Sequence, residues 1–584
     1  MLYGMIKEKR REPRNKQQIM RDSRGGLTKE PEELKKRWKE HFRDLLNSKR
    51  PEIIEPNRQE EEEEREEEKE DEYITLAEVC QAIKRMKNGK APGADGLTVE
   101  MIKAAGQCGS TWLLRVINAA WKQKRVPEEW VRGEIVPLFK KGDRKECRNY
   151  RGVTLMSHAA KIYERVLDTR VRAKVEPGLR EEQYGFRAGR STIELIFALR
   201  QLMEARWEDA KPMCITFLDL EKAYDHLPRS IVWECLSRRE VGKDMIDRIK
   251  STYKNCESRV QTTAGVTPWF SVNSGVRQGS VLSPLLFALV MDEIMKKVDS
   301  EGDATTSRTM IYADDILIWG EDNIEVQEKI DRWSMITEDY GMKISKEKSE
   351  SLLMYRGRRP KWNKIKLGGI ELQEKEEFKY LGSIVTKDGK CDIEVRKRIT
   401  QAEGFYQSVR KLLWNEDFPI QCKVLLYKMY YIPILTYGSV TWTMGWKEES
   451  QMQAAEMKFI RSMAGISKIE KKRSKDIRKK CGLERLQYKI GRERLRWYGH
   501  MMRMDSERIP KMIFENAEKR GEKRRVGRPR ERWQSQIQRN AEERGVEWIK
   551  IKEEKWWESR KMWKTFVDQP EGEESEEDEE NVVL

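Results

Sequence analysis

The sequence predicts an α+β protein of several domains. Its 584 residues exceed the roughly 250 to 300 that one hydrophobic core usually organises. Short apolar, strand-forming runs occur in the middle of the chain, and several amphipathic helical patterns lie between them. Charged residues make up 37% of the chain, which favours polar helices or disordered segments around a central core. Two apolar runs, at 214–218 and 309–319, lead into or enclose aspartates, so they also indicate a site.

Residues 309–319 contain two adjacent carboxylates, Asp314 and Asp315, with apolar residues on both sides. This pattern predicts a strand, a tight turn and a second strand. The turn would place both carboxylates at the tip of a hairpin, where they can be solvated or can hold a metal ion. A solvated tip without function is the alternative, because aspartate is a common turn residue.

A third carboxylate, Asp219, directly follows the apolar run 214–218. Mg²⁺ prefers oxygen ligands and keeps some of its waters, so a few aspartates with substrate phosphates can hold two ions roughly 3.5 to 4 Å apart. We predict that Asp219, Asp314 and Asp315 are catalytic metal ligands for nucleotidyl transfer. One ion would activate a primer 3′-hydroxyl, and the other would stabilise the leaving pyrophosphate.

Further motifs surround these aspartates in a fixed order. Phe-x-Asp-x-x-x-Ala-Tyr-Asp lies at 217–225, Gly-Val-Arg-Gln-Gly-Ser at 275–280 and Tyr-Ala-Asp-Asp at 312–315, and related phrases lie at 149–155, 183–187, 341–348 and 378–382. Together they resemble the reverse transcriptase of non-long-terminal-repeat (LINE-type, RTE-like) retrotransposons. The resemblance implies a right-hand polymerase of fingers, palm and thumb, with an antiparallel palm sheet backed by helices and a basic helical C-terminal extension.

The resemblance also implies an activity, which is RNA-directed DNA synthesis from a DNA 3′-hydroxyl. An RNA-dependent RNA polymerase would be expected to carry Gly-Asp-Asp and no aromatic gate, and a group II intron maturase a zinc-type or endonuclease tail. The other reading that stays open is a catalytically lapsed nucleic-acid-binding remnant of a retroelement. Two Mg²⁺ ions, with Mn²⁺ as a substitute, are the implied cofactors, and an RNA template, a DNA primer or target and dNTPs are the implied partners.

Three basic residues are expected to bind the triphosphate. By the resemblance, Lys140 and Arg151 lie on a fingers hairpin and neutralise the incoming nucleotide, and Lys348 assists the leaving pyrophosphate. Each could instead be an ordinary exposed base.

Three further residues are expected to contact the nucleotide. Tyr224 matches the family's aromatic gate, whose ring occupies the space of a ribose 2′-hydroxyl; plain core packing is the alternative. Gln278 and Gly279 would line the dNTP and the template base, since a glycine lets the backbone approach a nucleotide closely.

Nucleic-acid contacts are predicted in three places. Arg187 is expected to contact the template, and the hairpin around Tyr380, Leu381 and Gly382 resembles the primer grip. Residues 471–570 carry 31 Lys and Arg against 16 Asp and Glu, interleaved with aromatics, which suits phosphate contacts with base stacking. The arginines singled out there are Arg496, Arg525, Arg528 and Arg530. A nuclear-localisation signal explains 523–532 equally well.

The predicted segments follow from these motifs and from the charge pattern. They are a helical N-terminal segment of mixed charge (1–58), an acidic linker (59–72), a helical region before the fingers (73–118), the reverse transcriptase domain (119–386), a helical thumb (387–470), a basic nucleic-acid-binding region (471–570) and an acidic disordered tail (571–584). The 72 residues that precede the first polymerase-associated helix are too few for an endonuclease domain, so we expect a separate endonuclease as a partner.

Composition excludes several classes of protein. The nine cysteines form no Cys-x-x-Cys pair and are accompanied by four histidines, so neither zinc-ligand spacing nor a secreted disulfide framework is present. No run approaches the roughly 18 apolar residues of a membrane span. We expect reduced thiols in an intracellular ribonucleoprotein of the nucleus and cytoplasm. The formal charge of +16 fits a polyanionic partner.

Overall fold

The computed structural model describes residues 19–22, 25–47, 72–300, 308–519 and 530–569. It contains both helices and sheets, as the α+β prediction requires. Residues 59–71 of the predicted linker, the predicted tail at 571–584 and the arginines Arg525 and Arg528 lie outside the described residues.

The centre of the molecule is a five-stranded sheet built around the strand Met213–Asp219. Asp315–Gly320 and Glu350–Met354 pair with it on either side, both antiparallel. Thr309–Tyr312 continues the sheet antiparallel beyond the first neighbour, and Gln373–Glu374 adds a short parallel strand beyond the second. The predicted antiparallel palm sheet is confirmed.

Both faces of this palm sheet are covered, because successive side chains of each strand point to opposite faces. Phe217 and Leu317 pack with residues of the helix Thr192–Glu208 on one face. Leu218 and Ile316 pack on the other face, where the helices Ser283–Ser300 and Asn323–Asp339 lie. The central strand is buried from Met213 to Leu218, so its closing residue Asp219 is the first that solvent reaches.

A second sheet forms the fingers. Arg132–Phe139 pairs antiparallel with Tyr150–Met156 and parallel with Glu257–Thr262, which in turn pairs with the short strands Gly265–Val266 and Phe270–Ser271. Phe139 lies opposite Tyr150, which confirms the strand, basic hairpin and strand predicted around Lys140. The N-terminal helix Pro31–Leu46 contacts this sheet through the buried rings of Trp38 and Phe42.

Other elements complete the fingers and palm. Thr75 and Glu78 form a capping box at the start of the helix Leu76–Lys84. The remaining helices of this part are Val99–Ala104, Gly106–Gln123, Glu128–Val131, His158–Val175, Ala223–His226, Arg229–Arg238 and Lys243–Ser251. Small two-stranded sheets are Met20–Arg21 with Leu27–Thr28, Lys366–Leu367 with Ile370–Glu371, and Glu377–Tyr380 with Ser383–Thr386. Among the helices of the described ranges, none is both long and apolar enough to span a bilayer.

The thumb segment is a helical bundle with its own core. Its helices are Asp392–Leu413, Ile420–Leu426, Ile432–Leu435 and Trp446–Ala464, with a π-helical turn at Tyr427–Tyr431. Buried aromatic rings from three of these elements meet at Phe459; the Tyr431 ring lies 4.3 Å from it and the Tyr406 ring 6.0 Å. These buried rings therefore serve as bundle core, whereas Trp414 and Trp446 of the same segment are exposed.

The C-terminal region is helical, as predicted, but its aromatic residues are not stacking platforms. Its helices are Ser474–Cys481, Leu486–Met502, Ile509–Lys519, Trp533–Glu542, Trp548–Glu553 and Arg560–Val567. Trp497, Tyr498 and Trp533 are buried in one cluster with Phe197 of the palm helix, whose ring lies 4.7 Å from that of Trp533. The expectation of base stacking here was wrong, because these rings form the interface that holds the region against the palm.

Glu204 of the palm helix joins three parts of the molecule. Its carboxylate accepts a hydrogen bond from the backbone N–H of Trp533 at 3.1 Å and another from Thr443 Oγ1 at 3.2 Å. Burial raises the pKa of Glu204 from 4.5 to about 7. The proton is thus held more tightly in the folded chain than in the unfolded one. The stability that it contributes is complete below the unfolded pKa and is lost as pH rises through 7.

We expect Glu204→Gln to raise the melting temperature of the chain relative to wild type at about pH 8 by roughly 2 °C, and by less at about pH 5. Glutamine keeps one acceptor oxygen and carries no charge. Scanning calorimetry at the two pH values measures the difference. Glu377→Gln is the control, because Glu377 is a more accessible carboxylate that pairs with Lys397. A Glu204→Gln benefit that does not grow with pH would contradict the buried charge.

Candidate active site

The palm sheet brings the three predicted aspartates to one end. Asp315 lies opposite Asp219 on one side and opposite Tyr312 on the other. Directly opposite residues of antiparallel strands point to the same face, so Asp219 and Asp315 share a face. Ala313 and Asp314 form the two-residue turn between the strands, and Ala313 adopts a φ of +57°. The predicted hairpin is confirmed. The sheet register also places Asp219, on the neighbouring strand, directly opposite Asp315.

The three carboxylates act on one another. The pKa of Asp315 is raised to about 6. The larger cause is desolvation by the surrounding protein, although part of the side chain stays exposed, and the second cause is the negative charge of Asp314 and Asp219. The positive charge of Lys140 lowers the pKa of Asp315, so the Lys140 ammonium group lies close enough to interact electrostatically with the carboxylates. The arrangement concentrates negative charge that a cation would relieve.

Asp219 is held by the segment that carries Lys348. The Lys348 ammonium lies 2.5 Å from Asp219 Oδ2, and half of its side chain is exposed. The backbone N–H of Ser345 donates to the carbonyl of Asp219 at 2.8 Å, and Leu220 forms a bridge with Ile344. The 341–348 motif thus pairs with the end of the central strand, which is why a lysine distant in sequence meets the aspartate.

The donor set fits a divalent metal that is bound in the open. Among the residues that the structure describes, no group of three or more His, Cys, Asp or Glu side chains is placed so that it could hold a metal ion. Mg²⁺ is usually held by one or two carboxylates, with waters and substrate phosphates completing its octahedron. The carboxylates of Asp219, Asp314 and Asp315 supply oxygen ligands and charge of that kind, and their mutual repulsion favours binding.

Tyr224 lies beside the aspartates on the short helix Ala223–His226. Its ring stacks on Phe287 at 4.6 Å and 17°, and the ring of Phe186 meets it edge-on at 6.2 Å. Its hydroxyl is buried and has no hydrogen-bond partner among the described residues. The pKa of Tyr224 is raised by burial and by the charge of Asp314. A ring fixed in this way beside Asp314, with an unpaired hydroxyl, suits a steric role.

Arg151 and Gln278 are brought together across the fingers and palm. Arg151 Nε donates to Gln278 Oε1 at 3.0 Å, and Gln278 Nε2 donates to Asp225 Oδ1 at 2.8 Å. Burial raises the pKa of Asp225 to about 6. Gly279 has a φ of +139°, and a Cβ there would lie 2.3 Å from the carbonyl oxygen of Thr154. Only glycine allows this loop to rest on the fingers strand.

A buried carboxylate that we did not predict organises the same loop. Glu164 of the helix His158–Val175 is 1% exposed. It accepts hydrogen bonds from Arg277 Nη2 at 2.8 Å, Ser280 Oγ at 2.9 Å and the backbone N–H of Val281 at 2.9 Å. Arg277 is thus a structural partner within the motif. No local signal marks Glu164, because Lys161 and Asp168 lie on the same side of the helix and only the fold shows that Glu164 is buried.

Residues 181–190, here named the 181–190 loop, lie along the edge of the palm sheet. The backbone N–H of Tyr184 donates to the carbonyl of Ile311 at 2.9 Å. Arg187 Nη1 donates to the carbonyls of Arg180 at 2.6 Å and Gln183 at 3.3 Å. Its guanidinium therefore fastens this loop, and a template contact by Arg187 stays a prediction. Phe186, which was not among the predicted site residues, is 40% exposed beside Tyr224.

The predicted primer-grip residues lie at a hairpin turn. Leu381 and Gly382 form the turn with φ values of +46° and +86° and are partly accessible. Tyr380 is 2% exposed, and its pKa is raised by burial and by the charge of Asp315. The Tyr380 side chain therefore lies inside the palm near Asp315, so a nucleic-acid contact at this hairpin would be made by the turn.

Of the four C-terminal arginines predicted to bind nucleic acid, the two that lie in the described residues contact the protein itself. Arg496 pairs with Glu493 at 2.7 Å and with Asp568 at 2.5 Å. Arg530 donates to the carbonyl of Asp388 at 2.7 Å, and its guanidinium lies over the ring of Trp207. Their predicted role in nucleic-acid binding stays a prediction.

The chain is similar in sequence to known proteins. Residues 139–385 match the family described as reverse transcriptase (RNA-dependent DNA polymerase). The chain is 26% identical over 344 residues to the transposon TX1 uncharacterized 149 kDa protein of Xenopus laevis, covering 56% of this chain and 26% of that protein. It is 25% identical over 409 residues to the probable RNA-directed DNA polymerase from transposon X-element of Drosophila melanogaster, covering 66% and 44%.

Two telomerases are among the solved structures that resemble the chain more distantly. Telomerase from Candida albicans, solved with a fragment of telomeric RNA, is 11% identical with a TM-score of 0.36, covering 64% of this chain and 68% of that one. Apo telomerase from Candida tropicalis is 12% identical with a TM-score of 0.34, covering 48% and 59%. The matched region spans 26% of the TX1 protein and 44% of the X-element protein, which is less than half of the length of each.

Proposed function

We propose that the chain copies RNA into DNA, because residues 139–385 match the reverse transcriptase family and the chain is similar to a probable RNA-directed DNA polymerase of a transposon. It would extend a DNA 3′-hydroxyl on an RNA template by two-metal nucleotidyl transfer. The observation that carries the proposal is the cross-strand pair of Asp315 and Asp219 beside the turn residue Asp314.

Each side chain of the site has a distinct task in this proposal. Asp219, Asp314 and Asp315 hold two Mg²⁺ ions, with Mn²⁺ as a substitute. When bound, the metal supplies activation of the primer hydroxyl and neutralises charge on the leaving pyrophosphate. Lys348, which pairs with Asp219, would also be close enough to the site to neutralise charge on the leaving phosphates. Lys140 lies within electrostatic reach of Asp315 and neutralises the triphosphate from the fingers.

Arg151, Gln278 and Gly279 orient the nucleotide in the same proposal. The hydrogen bond between Arg151 and Gln278 joins the fingers strand to the loop on which the nucleotide would lie. The absence of a side chain at Gly279 lets this loop contact the carbonyl of Thr154. Holding the reactants in line supplies much of the rate in phosphoryl transfer, since the chemistry needs positioning and charge stabilisation.

We expect Tyr224 to select deoxynucleotides. Tyr224→Ala would open the space that a ribose 2′-hydroxyl needs, so the preference for dNTP over rNTP should fall by about 10². Tyr224→Phe should keep the preference, because the hydroxyl that it removes has no partner among the described residues. Single-nucleotide incorporation with dATP and ATP measures the ratio. An unchanged ratio in Tyr224→Ala would contradict the gate.

We infer that template RNA also contacts the exposed basic segment 468–480, which joins the thumb to the C-terminal helices. It contains eight Lys and Arg and two acidic residues. Arg478 alone among these bases is buried, where it pairs with Glu456 at 3.2 Å. Lys471 and Lys479 are exposed and have no ion-pair partner within the described ranges. Such side chains can bind phosphate groups without first breaking an ion pair within the protein.

The double variant Lys471→Ala and Lys479→Ala should bind a structured RNA more weakly and with a shallower dependence on salt, the slope falling by roughly 1 to 2. The control is Lys397→Ala together with Lys458→Ala, since these lysines already pair with Glu377 and Glu403. Filter binding across a salt series measures both quantities. Equal slopes for the two double variants would contradict this surface.

Primer extension on an RNA template with dNTPs and Mg²⁺ tests the proposed activity. Wild type should copy the template, and Asp314→Asn should not. A wild-type chain that is folded and binds RNA but makes no DNA would overturn the proposed activity and favour the catalytically lapsed remnant.

A further inference from the structure

The 181–190 loop contacts the turn that carries Asp314. Besides the hydrogen bond from Tyr184, the backbone N–H of Ile311 donates to the carbonyl of Glu182 at 2.9 Å. Gly185 lies so close that a Cβ there would be 2.3 Å from the backbone nitrogen of Ala313. A displacement of this loop would therefore be transmitted to the catalytic turn, because there is no space between them to absorb it.

The same loop places an aromatic ring against the proposed gate. Phe186 adopts a φ of +63°, a conformation that costs roughly 1 kcal/mol or more for a non-glycine residue and persists where the surroundings enforce it. Its ring meets Tyr224 edge-on at 6.2 Å. Phe186 is thus one of two rings that position Tyr224, the other being Phe287, and the contacts that hold the loop fix the Phe186 side of this arrangement.

Arg508, from the C-terminal region, supplies such contacts. It precedes the helix Ile509–Lys519 and is 16% exposed at its side chain. Its guanidinium forms an ion pair with Glu194, which is 1% exposed, approaches Glu181 at 3.6 Å and donates to the carbonyl of Gly189 at 3.4 Å. Glu181 lies at the start of the loop, whereas Gly189 and Glu194 lie at or just beyond its end.

The neighbouring contacts keep Arg508 in place. Glu194 also caps the palm helix by accepting from the backbone N–H of Ser191 at 3.0 Å. Ile509 and Ile513 are buried in the same apolar cluster as Tyr184 and Met310. The C-terminal helix is therefore packed against the palm helix Thr192–Glu208, within the apolar cluster that also holds Tyr184 and Met310. Arg508 contacts both ends of the loop.

We propose that Arg508 is a positioning residue for the polymerase centre, which braces the 181–190 loop against the catalytic turn and Tyr224. It touches no reacting atom and acts through Gly185 and Phe186. The C-terminal region would then belong to the catalytic unit and tune nucleotide selection. The expected change in nucleotide kinetics rests on the proposed function. The role of Arg508 in holding the 181–190 loop does not, because it concerns the fold alone.

The test uses the full chain with Arg508→Ala, Arg508→Lys and the control Arg539→Ala. Arg539 joins the same C-terminal region to the thumb through Glu449, away from the loop. Arg508→Ala should raise the KM for dNTP about tenfold and lower the preference for dNTP over rNTP about tenfold, with a smaller change in kcat. Hydrogen exchange of the amides at 184–190 should become faster. Arg508→Lys, which keeps the pairing with Glu194, should recover part of each quantity.

Exchange at 184–190 that matches wild type in Arg508→Ala would overturn the brace, as would nucleotide selection that changes equally in Arg539→Ala. If Arg508→Ala does not fold, Arg508→Lys carries the same comparison with smaller shifts. If the wild-type chain incorporates no nucleotide, the proposed function fails, and the exchange measurement still decides whether Arg508 braces the loop.

Discussion

Asp315→Asn is expected to abolish DNA synthesis and at the same time to stabilise the folded chain. Asp315 lies between Asp219 and the turn residue Asp314, and its raised pKa shows that its charge is unfavourable there without a cation. Loss of a metal ligand removes several kcal/mol of transition-state charge stabilisation, so kcat should fall by about 10³ or more. Relief of the repulsion should raise the melting temperature by about 1 to 2 °C.

The two readouts separate function from folding. Steady-state primer extension measures kcat, and calorimetry without divalent metal measures the melting temperature. Asp322→Asn is a suitable control, since Asp322 caps the helix Asn323–Asp339 in the same part of the chain and its replacement should leave kcat unchanged. An Asp315→Asn chain that is both active and less stable would contradict the electrostatic reading of the site.

Glu164→Ala is expected to have the second largest effect. It would leave the Arg277 guanidinium, whose side chain is 7% exposed, buried without its carboxylate, which costs about 3 to 5 kcal/mol. It would also release Ser280 and Val281 from their acceptor. The loop that carries Gln278 and Gly279 should lose its fixed position, so the melting temperature and the affinity for dNTP should both fall.

A double variant distinguishes stability from positioning. Glu164→Leu combined with Arg277→Met replaces the buried pair with apolar side chains of similar volume, which is often close to neutral for stability. We expect it to regain much of the melting temperature but to keep a raised KM for dNTP, because Ser280 and Val281 still lack their acceptor. A normal KM in the double variant would show that Glu164 serves stability alone.

Local sequence patterns predicted the catalytic hairpin well. Apolar, strand-forming residues on both sides of a two-residue turn are a short-range signal, and this signal sufficed to place Asp314 and Asp315 at a tip. Asp219 could be added because it closes an apolar strand. That it faces Asp315 across a strand pair was not contained in the spacing, since a register is set by packing on both sides of the sheet.

Contacts between distant segments could not be predicted. Glu164 and Arg277 are separated by 113 residues, and Arg508 and Glu194 by 314, so no local period links them. In the C-terminal region, bases interleaved with aromatics have the same composition whether the rings stack on nucleic acid or pack in a core. The structure buries Trp497, Tyr498 and Trp533, because the palm helix offers Phe197 as a partner.

Addition of one nucleotide to a DNA primer on an RNA template tests the central claim most directly. The wild-type chain and Asp219→Asn are each bound to the same primer and template, and Mg²⁺ is then added with a single dNTP. We predict that wild type adds the complementary nucleotide and needs the metal, whereas Asp219→Asn binds the duplex equally and adds none. Incorporation by Asp219→Asn at the wild-type rate, or none by a wild-type chain that binds the duplex, would contradict a polymerase centre at these aspartates.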